Sequence, residues 1–457
     1  MKMELKNKKV LVIGLAVTGV PLVRVLKQQG AQIIVNDMKS EVDLAETIDA
    51  IGHEQIEYIL GRHPEELTTL GELDLVVLSP GVPLDIPFIQ QIKAQGIEII
   101  GEVELAFRLS RGKIVAITGT NGKTTTTALT GEIFKGAGKN TYVVGNIGVP
   151  FIEKALDTTE EDVIVIEVSS FQLESIKEFH PKVGTLLNLT PDHLNRHKTI
   201  ENYREAKLNL FMNQSLQDYA VLNYDDITSR EAGKTLAAQK IYFSRKQILE
   251  EGVFVDNQLI TIQTKEKRYD VIHIDEIKIL GQHNLENALA ATAMTFILGV
   301  SAEDIAKGLR NFPGVAHRLE FVEEIEGVKY INDSKGTNTD ASIKAIEAAQ
   351  APIILLAGGQ DKGGDFTDFV KAFDGKVKHL LVYGETSDNI YETALHNNFK
   401  VVSQVRDLEE AVIRAKGIAQ AGDTILLSPA CASWDMYPNF EARGQHFKKL
   451  VSSLRRS

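Results

Sequence analysis

A glycine-rich segment at residues 114–127, IVAITGTNGKTTTT, carries the clearest chemical signal in the chain. An apolar strand runs into Gly119 and Gly122, and Lys123 then opens a helix. The backbone N–H groups of such a loop bind phosphate, the lysine reaches β- and γ-phosphates, and a following threonine hydroxyl holds Mg²⁺. The first glycine stands at 119, whereas the usual phosphate-loop spacing would place it at 117. The order of strand, loop and helix still predicts ATP binding, because a glycine turn that binds nothing would leave the lysine unexplained.

A second glycine loop lies in VLVIGLAVTGVPLV, residues 10–23. Gly14, Ala16 and Gly19 stand where a dinucleotide-binding loop has its three glycines, and Asp37 ends the next strand. A Cβ at the second position keeps a pyrophosphate away from the backbone, so Ala16 argues against a standard NAD site. Two interpretations remain open from these residues alone: a tight strand-to-helix turn, or a site for a diphosphate-bearing ligand such as a nucleotide sugar.

Three more polar residues follow the phosphate loop. Glu167 ends the apolar strand VIVIE, where a carboxylate could hold Mg²⁺ beside a triphosphate, although a solvated strand end would look the same. His193, in NLTPDHLNRH, lies on a loop at the carboxyl end of the same predicted sheet. A single loop histidine is more often a solvent-exposed residue without a binding role than a ligand. Lys207, in the helical segment YREAK, taken by itself indicates a solvated helix face.

Apolar runs of strand length alternate with amphipathic helical segments and must position these side chains. Continuous rather than alternating Val, Ile and Leu indicate parallel strands buried on both faces, so the fold class is α/β. The clearest runs are 10–13, 33–36, 75–78, 114–118, 163–167, 183–188, 353–357, 380–383 and 424–428. Residues 242–275 alternate instead and predict a small antiparallel insert. New units begin near Gly101 and Gly314, so we expect three domains at 1–101, 102–314 and 315–457, the outer two Rossmann-like.

Length and composition limit the function. A chain of 457 residues has room for about three domains. Its formal net charge of −12 argues against nucleic acid and acidic membranes as partners. The single cysteine, Cys431, cannot form an intrachain disulfide, which fits a reducing compartment. The basic and apolar N-terminus lacks a cleavage pattern, and no segment reaches the roughly 20 apolar residues of a membrane span, so we expect a cytoplasmic protein.

Eight motifs occur in order across the three predicted domains, and together they resemble the Mur ligases, the ATP-dependent enzymes that add amino acids to a UDP-linked cell-wall precursor. The motifs are TGTNGKTTT, IEVSSFQLE, LNLTPDHLNRH, YREAK, GQHNLENALAA, HRLE, NDSKGTN and SPACASWD. Within the family, the start GLAVTG and the segment AGGQDKG are most similar to the members that add D-glutamate. The resemblance therefore implies UDP-N-acetylmuramoyl-L-alanine and D-glutamate as substrates, in peptidoglycan synthesis.

The resemblance also implies a mechanism. ATP phosphorylates the carboxylate of the UDP-linked substrate, and the incoming amine then displaces phosphate to form an amide. ATP would be bound by Gly119, Thr120, Asn121, Gly122, Lys123, Thr124, Thr125, Asn287, Arg318 and Asp333. Two Mg²⁺ ions would be held with the help of Thr124, Glu167, His193 and Lys207, the last as a carbamate. Because carbamylation needs a neutral amine, we expect burial to lower the pKa of Lys207.

The two acceptor substrates are assigned by the same resemblance. The UDP-linked substrate would contact Gly14, Thr18, Asp37, Asn146 and His193, and D-glutamate would contact Thr337, Lys362, Ser433 and the backbone of Phe440. Ligands shared by the second and third domains would make the third domain mobile. Alternatives are another amino-acid-adding ligase, including the folylpolyglutamate type, a nicotinamide oxidoreductase, or a phosphate-loop ATPase. We expect a monomer.

Overall fold

The chain forms three α/β domains, each built around one sheet. A computed structural model describes residues 3–15, 18–52, 54, 56–64, 66–146, 148–279, 281–361, 363 and 365–456. By contacts, the chain divides into two compact units, one of Met1–His273 with Glu286–Gly308 and one of Ile274–Leu285 with Leu309–Ser457. Since the first unit holds two of the sheets, the boundary near residue 101 stays a prediction.

The N-terminal sheet has five parallel strands in the order β3-β2-β1-β4-β5. The apolar residues of its central strands β1, β2 and β4 are buried, as their continuous apolar sequences predict. The strands are β1 (Lys9–Ile13), β2 (Gln32–Asp37), β3 (Ile56–Leu60), β4 (Leu75–Leu78) and β5 (Ile99–Gly101), and the helices are α1 (Gly19–Gln28), α2 (Glu41–Ile51) and α3 (Pro87–Ala94). The glycine loop of residues 14–19 connects β1, the middle strand, to α1.

The central sheet has nine strands in the order β14-β13-β12-β11-β10-β9-β6-β8-β7. The strands are β6 (Lys113–Thr118), β7 (Thr141–Gly145), β8 (Val163–Glu167), β9 (Val183–Leu186), β10 (Tyr219–Asn223), β11 (Gln239–Ser244), β12 (Gly252–Asp256), β13 (Leu259–Gln263) and β14 (Arg268–His273). The helices are α4 (Glu102–Leu109), α5 (Lys123–Gly136), α6 (Phe151–Ala155), α7 (Ser170–Leu173), α8 (Leu194–His197), α9 (Ile200–Leu208), α10 (Ile227–Ala232), α11 (Gln282–Ile297) and α12 (Ala302–Asn311).

The predicted antiparallel insert is the far edge of this central sheet. Strand β12 pairs with β13, and β13 with β14, in antiparallel fashion, as the alternating sequence indicates. However, β11 runs parallel to β10, and β12 pairs with β11 in parallel through Phe243–Val253 and Ser244–Phe254. The antiparallel strands therefore extend the sheet rather than form a separate one.

The third sheet has six strands in the order β15-β16-β20-β17-β18-β19, and only β15 runs antiparallel to its neighbour. The strands are β15 (Glu320–Ile325), β16 (Val328–Asn332), β17 (Ile353–Gly358), β18 (Val377–Tyr383), β19 (Val402–Gln404) and β20 (Thr424–Leu427). The helices are α13 (Thr339–Ala348), α14 (Thr367–Lys371), α15 (Ser387–His396), α16 (Leu408–Ile418) and α17 (Phe440–Ser453). Within the described residues, no helix has both the length and the apolar character needed to cross a membrane.

Candidate active site

The phosphate loop leaves the carboxyl end of β6, which lies between β8 and β9 in the central sheet. Gly122 caps helix α5 in the left-handed conformation, with φ of +84°. A Cβ built on Gly122 would lie 2.3 Å from Oδ1 of Asn287, so only glycine lets that amide approach the loop. The structure thus brings Asn287, predicted to contact ATP, against the predicted phosphate loop.

Side chains from other elements hold the loop in shape. Asn188 accepts a hydrogen bond from the N–H of Asn121 at 2.9 Å and donates one back to its carbonyl oxygen at 3.1 Å. The hydroxyl of Thr120 donates to the carbonyl oxygen of Thr190 at 3.0 Å and lies 3.2 Å from the hydroxyl of Tyr203. Neither Asn188 nor Tyr203 is among the predicted site residues, although both stand in motifs that carry the family resemblance.

Two lysine amines meet on one carbonyl oxygen of this loop. Nζ of Lys123 donates to the carbonyl oxygen of Gly119 at 2.9 Å, and Nζ of Lys207 donates to the same oxygen at 2.8 Å. Lys207 is only 1 % exposed, so the reading of this residue as a solvated helix face is wrong. The spacing of polar residues in α9 could not predict the burial of Lys207, because this polar side chain faces the phosphate loop and not the solvent. Burial, and secondarily the charge of Lys123, hold the pKa of Lys207 well below its ordinary value.

Glu167 ends strand β8 beside β6 and is 2 % exposed. Its Oε1 accepts a hydrogen bond from the side chain of Asn146 at 3.0 Å. Its Oε2 is buried and has no hydrogen-bond partner among the described residues. The reading of Glu167 as a solvated strand end is therefore wrong, and Asn146, predicted to contact the UDP-linked substrate, lies directly beside it.

His193 lies in an aromatic group next to the same loop. Its ring packs against Phe171, with centroids 5.0 Å apart, and against Tyr203 at 6.4 Å. Its side chain is half exposed, and its Nε2 lies 3.6 Å from a carboxylate oxygen of Asp192. Asp192 also raises the pKa of Lys207, against the larger lowering effects, and so belongs to the same electrostatic neighbourhood. Asp192 is not among the predicted site residues.

The side chains around the phosphate loop have the chemistry needed to bind Mg²⁺ and a nucleoside triphosphate. A buried carboxylate oxygen without a partner, on Glu167, is a hard ligand of the type that Mg²⁺ prefers. The hydroxyl of Thr125 is also buried without a partner in the described part of the chain. No group of three or more His, Cys, Asp or Glu side chains that could hold a metal occurs among the described residues.

The N-terminal loop has a different chemistry. Gly14 has φ of +93°, and a Cβ there would lie 2.8 Å from Cβ of Ser79. One oxygen of Asp37 accepts a hydrogen bond from the N–H of Leu15 at 2.7 Å, so the carboxylate is fixed beside the loop. The hydroxyl of Thr18 is buried and has no partner among the described residues. Two predicted UDP-substrate residues, Gly14 and Asp37, are thus brought together, while Ala16 lies outside the described residues.

In the third domain, Asp333 follows strand β16 and is 4 % exposed. Its Oδ2 accepts a hydrogen bond from the hydroxyl of Ser428 at 2.7 Å, and its Oδ1 accepts one from the N–H of Leu319 at 3.2 Å. Burial raises the pKa of Asp333 to about 6, against smaller lowering effects that include the charge of Arg318. Two predicted ATP-contacting residues, Arg318 and Asp333, therefore lie close enough to interact.

Arg443 joins the two loops that carry the predicted D-glutamate residues. Its fully buried guanidinium donates to Ser334 and to the carbonyl oxygens of Cys431 and Ala432. The hydroxyl of Ser334 in turn donates to the carbonyl oxygen of Phe440 at 2.8 Å. Thr337 and Ser433 lie on the same two loops, and Lys362 falls outside the described residues. Arg443 is not among the predicted site residues, because its partner Ser334 lies 109 positions away in the chain.

Taken together, these features define a class: a phosphate-loop enzyme built of three α/β domains. Three family models match the chain: the Mur ligase MurD-like N-terminal domain over residues 8–101, the Mur ligase middle domain over 117–295, and the Mur ligase glutamate ligase domain over 317–431. The chain belongs to the Mur ligase family.

Known proteins that match this chain over its full length support the same family assignment. It is 62 % identical over 455 residues to the UDP-N-acetylmuramoylalanine–D-glutamate ligase of Alkaliphilus oremlandii, covering 99 % of this chain and 100 % of the relative. It is 50 % identical to the ligase of the same name from Clostridioides difficile, with the same coverage. The solved structure of UDP-N-acetylmuramate-alanine ligase MurC from Thermotoga maritima shares the fold, with a TM-score of 0.62, 18 % identity, and coverage of 98 % of this chain and 100 % of that one.

Proposed function

We propose that this chain is an ATP-dependent ligase that joins D-glutamate to the carboxylate of UDP-N-acetylmuramoyl-L-alanine, releasing ADP and phosphate in peptidoglycan precursor synthesis. The chemistry rests on one observation above all: two lysines, one of them buried, converge on the phosphate loop beside the unpartnered oxygen of Glu167. The choice of substrates rests on the full-length relatives, which carry the name of that ligase.

The proposed reaction has two steps. An oxygen of the substrate carboxylate attacks the γ-phosphorus of ATP, and ADP leaves. The amine of D-glutamate then attacks the activated carbonyl carbon, the nitrogen loses a proton, and phosphate leaves. Lys123 and the N–H groups of residues 119–125 offset the negative charge on the transferred phosphoryl group and hold its oxygens in line.

Mg²⁺, when bound, supplies further neutralisation of phosphate charge. Thr124 and Glu167 would hold one ion, and His193 would contribute to a second. The contacts of Asn146 with Glu167 would orient this carboxylate and keep its second oxygen toward the metal. Asn287, Arg318 and Asp333 would complete the nucleotide site, and closure of the third domain on ATP would bring the last two to it.

Lys207 is proposed to carry a carbamate. Its neutral amine would attack CO₂, form an N–C bond and release a proton, which turns a cation into an anion with two oxygens suited to Mg²⁺. The lowered pKa supports this step, because the nucleophile must be unprotonated. The carbamate would also remove the repulsion between two amines that share the carbonyl oxygen of Gly119.

The acceptor substrates are assigned to the outer domains, 1–101 and 315–457. Gly14, Thr18 and Asp37, with Asn146 and His193, would bind the UDP-linked substrate. Thr337, Lys362, Ser433 and the backbone of Phe440 would bind D-glutamate. We also propose that the enzyme works as a monomer in the cytoplasm, where its nucleotide substrates are made, with neither nucleic acid nor membrane as a partner.

The test is phosphate release with Mg-ATP and UDP-N-acetylmuramoyl-L-alanine, with D-glutamate, with L-glutamate and with neither. We expect release only with the UDP-linked substrate and D-glutamate together, and none from Lys123→Ala. Release that requires a different amino acid would keep the ligase chemistry and change the substrate. Release that needs neither acceptor would replace the proposal with a simple ATPase.

A further inference from the structure

The N-terminal domain contains a cavity of about 380 Å³ at the carboxyl ends of its parallel strands. Gly14 and Asp37 line it, together with the apolar side chains of Leu15, Val82 and Ile86. A ligand crevice is expected in this position in an open parallel sheet. His63, which none of the motifs includes, also lines the cavity.

A buried amide fixes the orientation of His63. Asn36 is fully buried, and its Nδ2 donates to the carbonyl oxygens of Ile59 at 2.8 Å and Arg62 at 2.7 Å. These two acceptors identify the other atom of the amide as oxygen, and that oxygen lies 2.6 Å from Nδ1 of His63. Since a carbonyl oxygen only accepts, Nδ1 must carry the proton.

The opposite ring nitrogen is consequently an acceptor. In a neutral imidazole that is protonated at Nδ1, Nε2 has a free lone pair. Burial lowers the pKa of His63, against a smaller raising effect of Asp37, and so favours the neutral ring. The ring is also stacked on Phe88, with centroids 4.8 Å apart and planes 17° from parallel, which fixes the ring plane, while the contact with Asn36 fixes which nitrogen faces the amide.

The neighbouring carboxylate is placed for a different part of a nucleotide. In this fold an acidic residue at the end of the second strand binds ribose hydroxyls, and Asp37 ends β2 in register with Leu60 at the end of β3. His63 follows β3 within three residues and lines the same cavity as Asp37 and Gly14. A nucleotide with its ribose on Asp37 would therefore have its base within reach of His63.

We propose that Nε2 of His63 accepts a hydrogen bond from N3–H of the uracil ring, so that the Asn36–His63 pair selects a uridine nucleotide. This inference deepens the proposed function and rests on it. Uracil presents a donor at N3, whereas cytosine presents an acceptor at the same place. A fixed acceptor therefore favours uracil and disfavours cytosine, because two lone pairs would otherwise face each other in a partly dry site.

The experiment measures binding of UDP and CDP to the full chain by calorimetry, with His63→Phe, His63→Gln and His396→Phe. Phenylalanine keeps the stacking on Phe88 but has no acceptor. Glutamine can donate to Asn36 and accept from the base. His396 is an exposed histidine in the third domain and serves as the control.

We expect the wild-type chain to prefer UDP. His63→Phe should lose about tenfold in UDP affinity with little change for CDP, and should raise KM for the UDP-linked substrate about tenfold with kcat and KM for ATP within twofold. His63→Gln should keep most of the preference, which also covers the case that the phenylalanine variant does not fold. His396→Phe should match the wild type.

The inference is overturned if the His63 variants keep the wild-type ratio of UDP to CDP affinity, or lose both affinities equally while ligase activity at saturating substrate remains. A wild-type chain that releases phosphate without any UDP-linked substrate and binds neither nucleotide would instead overturn the proposed function, and this inference with it. The two failures are thus distinguishable.

Discussion

The two glycine loops of this chain occupy the same position in their sheets but have opposite chemical surroundings. Each follows a central parallel strand and opens a helix. Around the phosphate loop, Lys123 and Lys207 converge on the carbonyl oxygen of Gly119. Around the N-terminal loop, the carboxylate of Asp37 is fixed on Leu15 and the ring of His63 is fixed on Asn36. The same backbone device therefore lies beside two lysine amines in one sheet, and beside a carboxylate and an imidazole in the other.

The largest effect is expected at the cationic loop. Lys123→Ala should lower kcat for phosphate release by about 10²–10³-fold, because it removes the positive charge that offsets the negative charge of the transferred phosphoryl group. Lys135→Ala, on the exposed part of the same helix, is the matched control and should leave kcat unchanged. If both variants lost activity equally, the charge of Lys123 would have no special role.

Lys207→Ala should lower kcat by about 10²-fold or more, because it removes both the proposed carbamate and its effect on the metal. Short carboxylic acids should restore part of that activity by placing a carboxylate in the space of the side chain. Arg204→Ala, on the exposed face of the same helix, should behave like the wild type. Full activity of Lys207→Ala without added acid would refute the carbamate.

The roles of the two loops in substrate binding can be distinguished by substituting their glycines. Both Gly122→Ala and Gly14→Ala force a side chain into a positive φ and a close contact, and each should cost about 1–3 kcal/mol of local stability. We expect KM for ATP to rise in Gly122→Ala and KM for the UDP-linked substrate to rise in Gly14→Ala. Gly136→Ala, also in α5 but with open space around its Cβ, should leave both KM values unchanged. Crossed effects would contradict the division of roles.

The smallest effect concerns pH and the third domain. Because burial raises the pKa of Asp333 to about 6, the folded state favours its protonated form. This contribution to stability is complete below the ordinary carboxyl pKa of about 4 and is lost as the pH rises through about 6. The melting temperature of Asp333→Asn relative to the wild type should therefore increase from pH 4 to pH 6 and then level off. A difference that is independent of pH would show that Asp333 ionises normally.

Much of this architecture could be predicted from the sequence because parallel strands buried on both faces give continuous apolar runs. Several strands are not among the nine predicted runs; two examples are β3, which is half exposed at a sheet edge, and β19, which has only three residues. The phosphate loop could be predicted because its chemistry depends on residues that are adjacent in sequence.

Residues that support the sites from a distance could not be predicted in this way. Asn188 reaches Asn121 across 67 positions, Tyr203 reaches Thr120 across 83, and Arg443 reaches Ser334 across 109. Contacts between residues so far apart in the chain produce no recognisable local pattern in the sequence. The burial of Lys207 could not be predicted for the same reason, because it depends on which side of helix α9 packs against the phosphate loop.

The central claim is that the substrate carboxylate receives the γ-phosphoryl group in the cationic loop. It can be tested by labelling both oxygens of that carboxylate with ¹⁸O in UDP-N-acetylmuramoyl-L-alanine and analysing the phosphate by mass spectrometry after reaction with ATP and D-glutamate. We predict one ¹⁸O atom in each phosphate released and one in the new amide. Unlabelled phosphate, formed at the same rate as the amide or without it, would contradict the account.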